Sequence, residues 1–413
     1  MKVARRTALR GLAAGAAGLA TLRWPMAFAQ AKPVKVGLLT VKTGPLAQGG
    51  IQMEQGLVTF LKEKNNTLAG RKVELITADT AGNPANAKTK AQELVEREHC
   101  DFVCGPLAAF ELLAITDYMA QSKTPMLSLA GADDMTQRKP NPYFIRASAT
   151  SSQACHPLGE YAAKEMGLKR VVTIVEDFAF GYEQVGGFQR AFEDNGGTVV
   201  AKLWPPLVTP DYTPYLAQIK DVDGVWQGFA GSNPLKFMQQ FAELGLKGKY
   251  PVIGGETSGD DALLKSFGDE AIGLVNSCPY SLSLDTPANK RFIEGMQREF
   301  KTDPGFYAAG LYVNGMIIEE TLKKLGGNTD NKEKTIEAMR SVSLTETPRG
   351  PLHLDHLGNV VGNIYIRKIE RKDGKLVNTI VKTYENVSQF WKYDEKEYLS
   401  KPVYSRDYPP LKG

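Results

Sequence analysis

Histidine and cysteine are scarce in this chain of 413 residues, four of each, and neither forms a catalytic pattern. His353 and His356 share one short strand-like stretch, where odd spacing sets them on opposite faces, a poor arrangement for joint metal ligation. His99 ends a charged helix and reads as solvated. His156 precedes Pro157 at a helix start and reads as a capping or surface residue. Phosphate-cradling glycines are missing too: Gly186-Gly187 and Gly326-Gly327 lack a following Lys-Ser/Thr or a strand–glycine–helix setting. Gly254-Gly255-Glu256-Thr257-Ser258-Gly259 does not match the Gly-x-Ser-x-Gly of a nucleophile elbow. Asp133-Asp134 and Asp260-Asp261 each precede an apolar helical stretch, so helix capping explains them better than acid/base work. The expectation is a protein that is not an enzyme, with no catalytic residue, no metal and no cofactor.

Disulfides are not dictated either. Cys100, Cys104, Cys155 and Cys278 allow three full pairings, and the sequence does not choose among them. Cys100 and Cys104 fall in one strand-like stretch. At ~3.3 Å per residue their Cα atoms lie roughly 13 Å apart, beyond the ~7 Å that a disulfide tolerates.

Past the first thirty residues there is no apolar run long enough to span a bilayer, and no net charge of either sign. Lys2, Arg5, Arg6, Arg10 and Arg23 lie in a leader without acids, so the 50 basic and 46 acidic residues of the full chain become 45 and 46 beyond it. Without a basic field, neither nucleic acid nor an anionic membrane is an expected partner. The leader itself is informative. Paired Arg5-Arg6 with Leu9-Arg10, a Gly- and Ala-rich apolar run from Gly11 to Leu22, Pro25 and then Ala27-Phe28-Ala29 resemble a twin-arginine export signal cleaved near Ala29 or Ala31. The run is too short and Gly-rich for an uncleaved anchor, and no cysteine stands at the cleavage site to carry lipid. Residues 1–31 are therefore expected to be removed on export to the periplasm.

What is present is a regular alternation of short apolar strands and amphipathic helices. Strands are expected at Val34–Thr40, Lys72–Ala78, Asp101–Cys104 and Pro125–Leu129, with helices from Gln52, from Asn83-Pro84 and over Glu111–Ala120. Tyr143–Ala147 reads as a first crossing between lobes. The alternation restarts with the Gln153–Met166 helix, strands at Arg170–Val175, Thr198–Leu203, Gly224–Gln227, Tyr250–Ile253 and Gly273–Asn276, and helices over Glu183–Asn195 and Pro234–Leu244. Three helices follow, around Ala288–Phe300, Tyr307–Leu325 and Lys332–Val342. Leu352–Asp355, Asn363–Ile369 and Leu376–Tyr384 alternate as antiparallel strands do, and 389–413 shows no regular pattern. Nearly all-apolar strands between helices indicate an α/β protein of two doubly wound parallel-sheet lobes. No low-complexity linker divides them, which fits lobes joined by several crossings.

Open α/β sheets bind ligands at strand C-termini. The segments there are Thr43-Gly44-Pro45-Leu46-Ala47, Gly105-Pro106-Leu107-Ala108-Ala109-Phe110, Ser128-Leu129-Ala130-Gly131-Ala132, Asp177-Phe178-Ala179-Phe180-Gly181 and Gly254-Gly255-Glu256. Their order, with Asp79 to Pro84 and Phe144-Ile145-Arg146, resembles the branched-chain amino acid-binding family of ABC-transporter solute-binding proteins from Lys32 to about Ile369. That resemblance implies a type I periplasmic binding protein with a three-crossover hinge. Lobe 1 would be 32–147 plus 279–345 and lobe 2 would be 148–278 plus 346–388, followed by an irregular tail. It also implies a monomer that closes on a small-molecule ligand and delivers it to an inner-membrane ABC permease.

Carried over by position, the resemblance places Ala109 where amino-acid binders offer a hydroxyl, and Ala130 and Ala132 where they offer a carbonyl and a Thr hydroxyl. Gly49 stands in place of a covering aromatic. Phe180 occupies an aromatic position, Glu256 matches the acid that receives an ammonium, and Tyr307 matches an aromatic at the cleft edge. Phe110, Phe178 and Ala230 complete the candidate set, and Tyr182, Trp226 and Phe229 add aromatic surface to the cleft-facing loops or to the sheet core. Each lost hydroxyl removes roughly 1–3 kcal/mol of charge-assisted hydrogen bonding. The expected ligand is accordingly an aromatic carboxylate of benzoate or cinnamate type, with Glu256 accepting from a ring hydroxyl. The Gln389-Phe390-Trp391 tail resembles that of relatives assigned to aromatic-acid uptake. Branched-chain amino acids, urea or short amides are the alternative ligands, a ligand-sensing domain for a signalling partner the alternative role, and an exported hydrolase a third reading.

Overall fold

Strands covered by helices on both faces have no solvent side, and Val34–Thr40 (β1) is buried along its length except at Lys35. The computed structural model describes residues 32–412, so the expected leader lies outside the described residues. From β1 the chain runs through Ala47–Glu63 (α1), Thr67–Leu68 (β2), Arg71–Asp79 (β3), Pro84–Gln92 (α2), Phe102–Cys104 (β4), Ala109–Gln121 (α3), Met126–Ser128 (β5) and Phe144–Arg146 (β6). These strands form a six-stranded sheet in the order β2-β3-β1-β4-β5-β6, parallel throughout except for β2. Asn83 caps α2 as its sequence predicts, accepting from the Asn86 N–H at 3.0 Å.

The second half begins with Ser151–Lys164 (α4), followed by Arg170–Val175 (β7), Ala179–Asp194 (α5), Thr198–Leu203 (β8), Thr213–Leu216 (α6), Gly224–Gly228 (β9), Asn233–Glu243 (α7), Val252–Gly254 (β10) and Val275–Cys278 (β11). Pro287–Phe300 (α8), Phe306–Lys324 (α9) and Lys332–Arg340 (α10) come next. The chain ends with Ser343–Leu344 (β12), Leu352–Leu354 (β13), Val360–Lys372 (β14), Lys375–Val387 (β15) and Glu395–Ser400 (α11). The second sheet has nine strands: β8-β7-β9-β10-β11 are parallel, and β12 to β15 extend it as antiparallel strands.

Helices α8 to α10 follow the second sheet's β11 in the chain, yet Phe292, Met296, Ile317 and Met339 share one apolar cluster with Leu38, Phe60 and Phe102 of the first half. The chain therefore crosses between the lobes three times: after β6, after β11 and after α10. The first crossing is fixed by a reciprocal cap. Thr150 accepts from the Gln153 N–H, and the Gln153 side chain accepts from the Thr150 N–H, both at 3.0 Å. The stretch read as a crossing, Tyr143–Ala147, is instead the sixth strand of the first sheet. An isolated bridge joins its Arg146 to Asn359 of the other half.

Two further expectations change. His156 is not a surface or capping residue: it lies fully buried in the body of α4, with Pro157 beside it inside the helix. Its ring stacks parallel to Trp391 at 6.5 Å and meets Tyr393 and Tyr398 edge-on. The segment expected to be irregular, 389–413, contains α11, capped by Asp394, and buries Phe390, Tyr398 and Tyr404. All four cysteines are free and buried, and burial pushes the thiols of Cys100, Cys104 and Cys278 up to about 12. Among the described residues no helix is long and apolar enough to cross a membrane.

Candidate functional site

The loops after the parallel strands converge on one cavity between the two sheets, with about 350 Å³ of empty space including its open side. Leu46 reaches it from the start of α1, Leu107 to Ala109 from the start of α3, and Leu129 to Gly131 from the loop after β5. Phe178 and Phe180 come from the start of α5, Ala230 from the loop after β9, Glu256 and Thr257 from the loop after β10, and Phe306 and Tyr307 from the start of α9. Several helices thus begin at the cavity. First-turn N–H groups have no intrahelical acceptor and carry the positive end of the helix dipole, so they can hold a carboxylate without a cationic side chain.

Seven of the ten expected site residues line this cavity: Ala109, Ala130, Phe178, Phe180, Ala230, Glu256 and Tyr307. Phe110, Ala132 and Gly49 do not. Phe110 backs the wall, meeting Phe178 edge-on at 5.3 Å between ring centroids. Ala132 is fully buried, with its carbonyl taken by Arg146. Gly49 acts by what it lacks, since a Cβ there would stand 2.9 Å from the Tyr307 ring. Of the other aromatic candidates, Trp226 stacks on Phe188 in the core of the second sheet and Phe229 packs with Tyr212 and Phe237. Tyr182 packs against Trp204. Phe306, which sequence reasoning missed, follows from Tyr307: both belong to the first turn of α9.

One carboxyl enters a largely apolar wall. Glu256 is 1% exposed and its Oε2 has no hydrogen-bond partner. Burial pushes its carboxyl up to about 8, against the pull of Arg349 and Arg146. Behind the wall, Glu176 is likewise pushed up to about 8 by burial, although it accepts from Asn233 Nδ2 at 2.7 Å and the Ala230 N–H at 3.3 Å. The Tyr307 phenol is held well above its ordinary value by burial and by the negative field of Asp260, Glu176 and Glu256. At neutral pH Glu256 is therefore a neutral acid, able to donate one hydrogen bond and accept others.

These shifts have a measurable consequence for stability. Unfolded glutamates release their protons near their ordinary value of 4.5, while folded Glu256 and Glu176 keep theirs to about 8. Their contribution is complete below pH 4.5 and is lost as pH rises from there to about 8, by up to about 1.4 kcal/mol per group per pH unit. Urea midpoints should fall across this window and flatten in Glu256→Gln. A flat profile in the parent protein would refute the shift.

The loop carrying Ala130 is held by Arg146, a guanidinium buried to 0% exposure. Its Nε donates to the Ala130 carbonyl at 2.9 Å, and its Nη2 to the Ala132 carbonyl at 2.6 Å. Its Nη1 donates to Thr136 Oγ1 at 2.7 Å and Asn359 Oδ1 at 2.9 Å. Across the cavity mouth, the Ser232 N–H donates to the Pro45 carbonyl at 3.1 Å, so the loop after β9 meets the loop after β1 and seals the two halves together. Among the described residues no group of three or more His, Cys, Asp or Glu side chains is placed to hold a metal ion.

A closed apolar cavity between two crossing-linked sheets is the architecture of a capture protein, and comparison with known proteins agrees. Residues 33–375 match the family model described as periplasmic binding protein. The chain belongs to this family. A Leu/Ile/Val-binding protein homolog 6 from Brucella suis is 30% identical over 379 residues, covering 89% of this chain and 95% of that protein. Among solved structures, the solute binding protein of an ABC transporter from Rhodopseudomonas palustris BisB5, in complex with 3,4-dihydroxybenzoic acid, is 35% identical. It superposes with a TM-score of 0.82, over 86% of this chain and 98% of that one. A second solute binding protein from R. palustris, in complex with 4-hydroxybenzoate, is 29% identical with a TM-score of 0.82, over 87% and 99% of the two chains. This periplasmic binding protein is therefore the substrate-binding partner of an ABC transporter and not an enzyme, and its fold is the two-lobed, three-crossover one that its sequence implies.

Proposed function

We propose that this protein captures a small aromatic carboxylate of hydroxybenzoate type in the periplasm and delivers it to an inner-membrane ABC permease. The observation that carries this reading is the composition of the cavity wall. Phe178, Phe180, Phe306 and Tyr307 supply flat apolar surface, and Glu256 is the single ionisable carboxyl facing it, with no cationic side chain among the lining residues. Helix-start N–H groups on the Ala109 side can hold the carboxylate of such a ligand, and the neutral Glu256 carboxyl can pair with a hydroxyl at the far end of the ring. The benzoate complexes of the two Rhodopseudomonas relatives support the same ligand class. On this reading residues 1–31 are a twin-arginine-type leader, the mature protein works as a monomer, and the lobes divide as 32–147 with 279–345 and 148–278 with 346–388.

The unpartnered Glu256 Oε2 also favours a second reading, a branched-chain amino acid whose ammonium pairs with that oxygen. Against it, the Ala130 and Ala132 carbonyls already accept from Arg146. Isothermal calorimetry with 4-hydroxybenzoate, 3,4-dihydroxybenzoate, benzoate and leucine separates the two. Aromatic acids should bind, with affinity for 4-hydroxybenzoate falling less than about tenfold in Glu256→Gln, because one neutral partner replaces another. Tight leucine binding without heat from any aromatic acid would overturn the proposal.

A further inference from the structure

The C-terminal segment 389–412 touches both halves of the molecule, and its contacts are built rather than incidental. On the side of the first sheet, Arg138 follows the ligand-facing Ala130–Ala132 loop by six residues and reaches three carbonyls of the segment. Its Nε donates to Lys401 at 2.9 Å, and its Nη2 to Tyr398 at 3.1 Å and Pro402 at 3.3 Å. Its Nη1 pairs with Asp134 at 3.2 Å, so the guanidinium is oriented from its own loop. Thr136 of the same loop donates to the Gln389 side chain at 3.0 Å.

On the side of the second sheet, the segment lies in a seat on α4 and α5. Tyr404 rests on Gly186, where a Cβ would stand 2.3 Å from its ring. The Arg190 guanidinium lies 3.6 Å from the Tyr393 ring centroid and 4.9 Å from that of Tyr398. The Tyr398 hydroxyl meets Ser152 Oγ at 3.3 Å, and Tyr393 donates to Asp194 at 2.7 Å. Finally Arg406 pairs with Asp177 at 2.7 Å, the residue just before the cavity-lining Phe178.

We infer that this segment is a strap that ties the loop behind Ala130–Ala132 to α5 and so holds the two lobes in the closed arrangement, with Arg138 its anchor on one side and Tyr404 its seat on the other. A hinge that opens must move these two attachments relative to each other, stretching a chain only a few residues long between Pro402 and Tyr404. The strap therefore biases the open–closed equilibrium toward closure, whatever ligand occupies the cavity.

The full mature chain tests this with Arg138→Ala, Tyr404→Ala and the double variant. Two quantities are read: the radius of gyration of the ligand-free protein by small-angle X-ray scattering, and the dissociation rate of 4-hydroxybenzoate by stopped flow. Each single change should enlarge the ligand-free protein and speed dissociation roughly five- to tenfold, while the double variant should exceed the larger single effect little, since releasing either attachment frees the strap. A lowered melting temperature with unchanged scattering and unchanged dissociation would overturn the inference, as would fully additive effects. If the parent protein does not bind 4-hydroxybenzoate, the proposed ligand class fails and the scattering comparison alone decides the strap.

Discussion

Replacing Arg146 with alanine is expected to destabilise the protein by about 3–5 kcal/mol and to loosen the cavity at the same time. The side chain is fully buried and makes four hydrogen bonds, to the Ala130 and Ala132 carbonyls, Thr136 and Asn359. It is also the cation facing a cluster of acids, foremost the buried Asp133 and Glu183 and then Asp355 and Glu256. Burial depresses Arg146 to about 10, so it remains charged at neutral pH. Burial also raises Asp133, to about 6, and raises Glu183; the Asp133 N–H donates to Glu183 Oε1 at 2.9 Å. Removing the cation leaves the Ala130 carbonyl without a donor, the Ala132 carbonyl with the Met135 N–H alone, and the acids without their counter-charge.

The variant should therefore have a lower urea midpoint, recovering in part as the pH falls to about 4, into the range where unfolded carboxylates also take up protons. Arg146→Lys should recover little, because one ammonium does not reproduce a fork that reaches four acceptors. A loss under about 1 kcal/mol at pH 7 would show that the network is dispensable.

The sequence signals were strongest where burial alone sets the pattern. Val34–Thr40 and Arg170–Val175 are strands over the ranges their apolar runs predict, because a parallel strand covered on both faces tolerates little else. Helix starts were less legible. The helices at the cavity begin at Ala47, Ala109 and Ala179, two to five residues ahead of their predicted starts at Gln52, Glu111 and Glu183. The residues before them, Leu46, Ala108 and Phe178, carry no capping side chain, since that turn faces the cavity. The loops that follow the strands could be read from order and spacing, and seven of the ten residues named from them line the cavity.

His156 shows what local reading misses. A histidine beside a proline looks like a helix end until Trp391, Tyr393 and Tyr398, more than two hundred residues further on, fold over it. Its burial depresses the imidazole to about 3, so it is neutral within its aromatic cover. Arg146 belongs to the Phe144-Ile145-Arg146 segment that carries part of the family resemblance, but its function depends on carbonyls of a loop that only the tertiary fold brings to it. Long-range partners are the part of the design that neighbouring residues do not encode.

The second large effect concerns closure itself. Gly231 has φ +61°, in the left-handed region that favours glycine, and a Cβ there would stand 2.0 Å from the Pro45 carbonyl oxygen of the opposite lobe. Gly231→Ala should therefore weaken 4-hydroxybenzoate binding roughly 100-fold, the equivalent of ~2–3 kcal/mol taken from the closed state. The left-handed φ strains an alanine in either state, but the clash with Pro45 exists only when the halves meet, so the complex should lose more stability than the ligand-free protein, and dissociation should accelerate more than association slows. Ser232→Ala is the control. Its side chain is exposed and its backbone N–H still reaches Pro45, so its affinity should match the parent. Calorimetry on both variants, with melting curves in the presence and absence of ligand, checks the distinction. Equal affinity in Gly231→Ala and parent would mean that the lobes grip the ligand without meeting at Pro45.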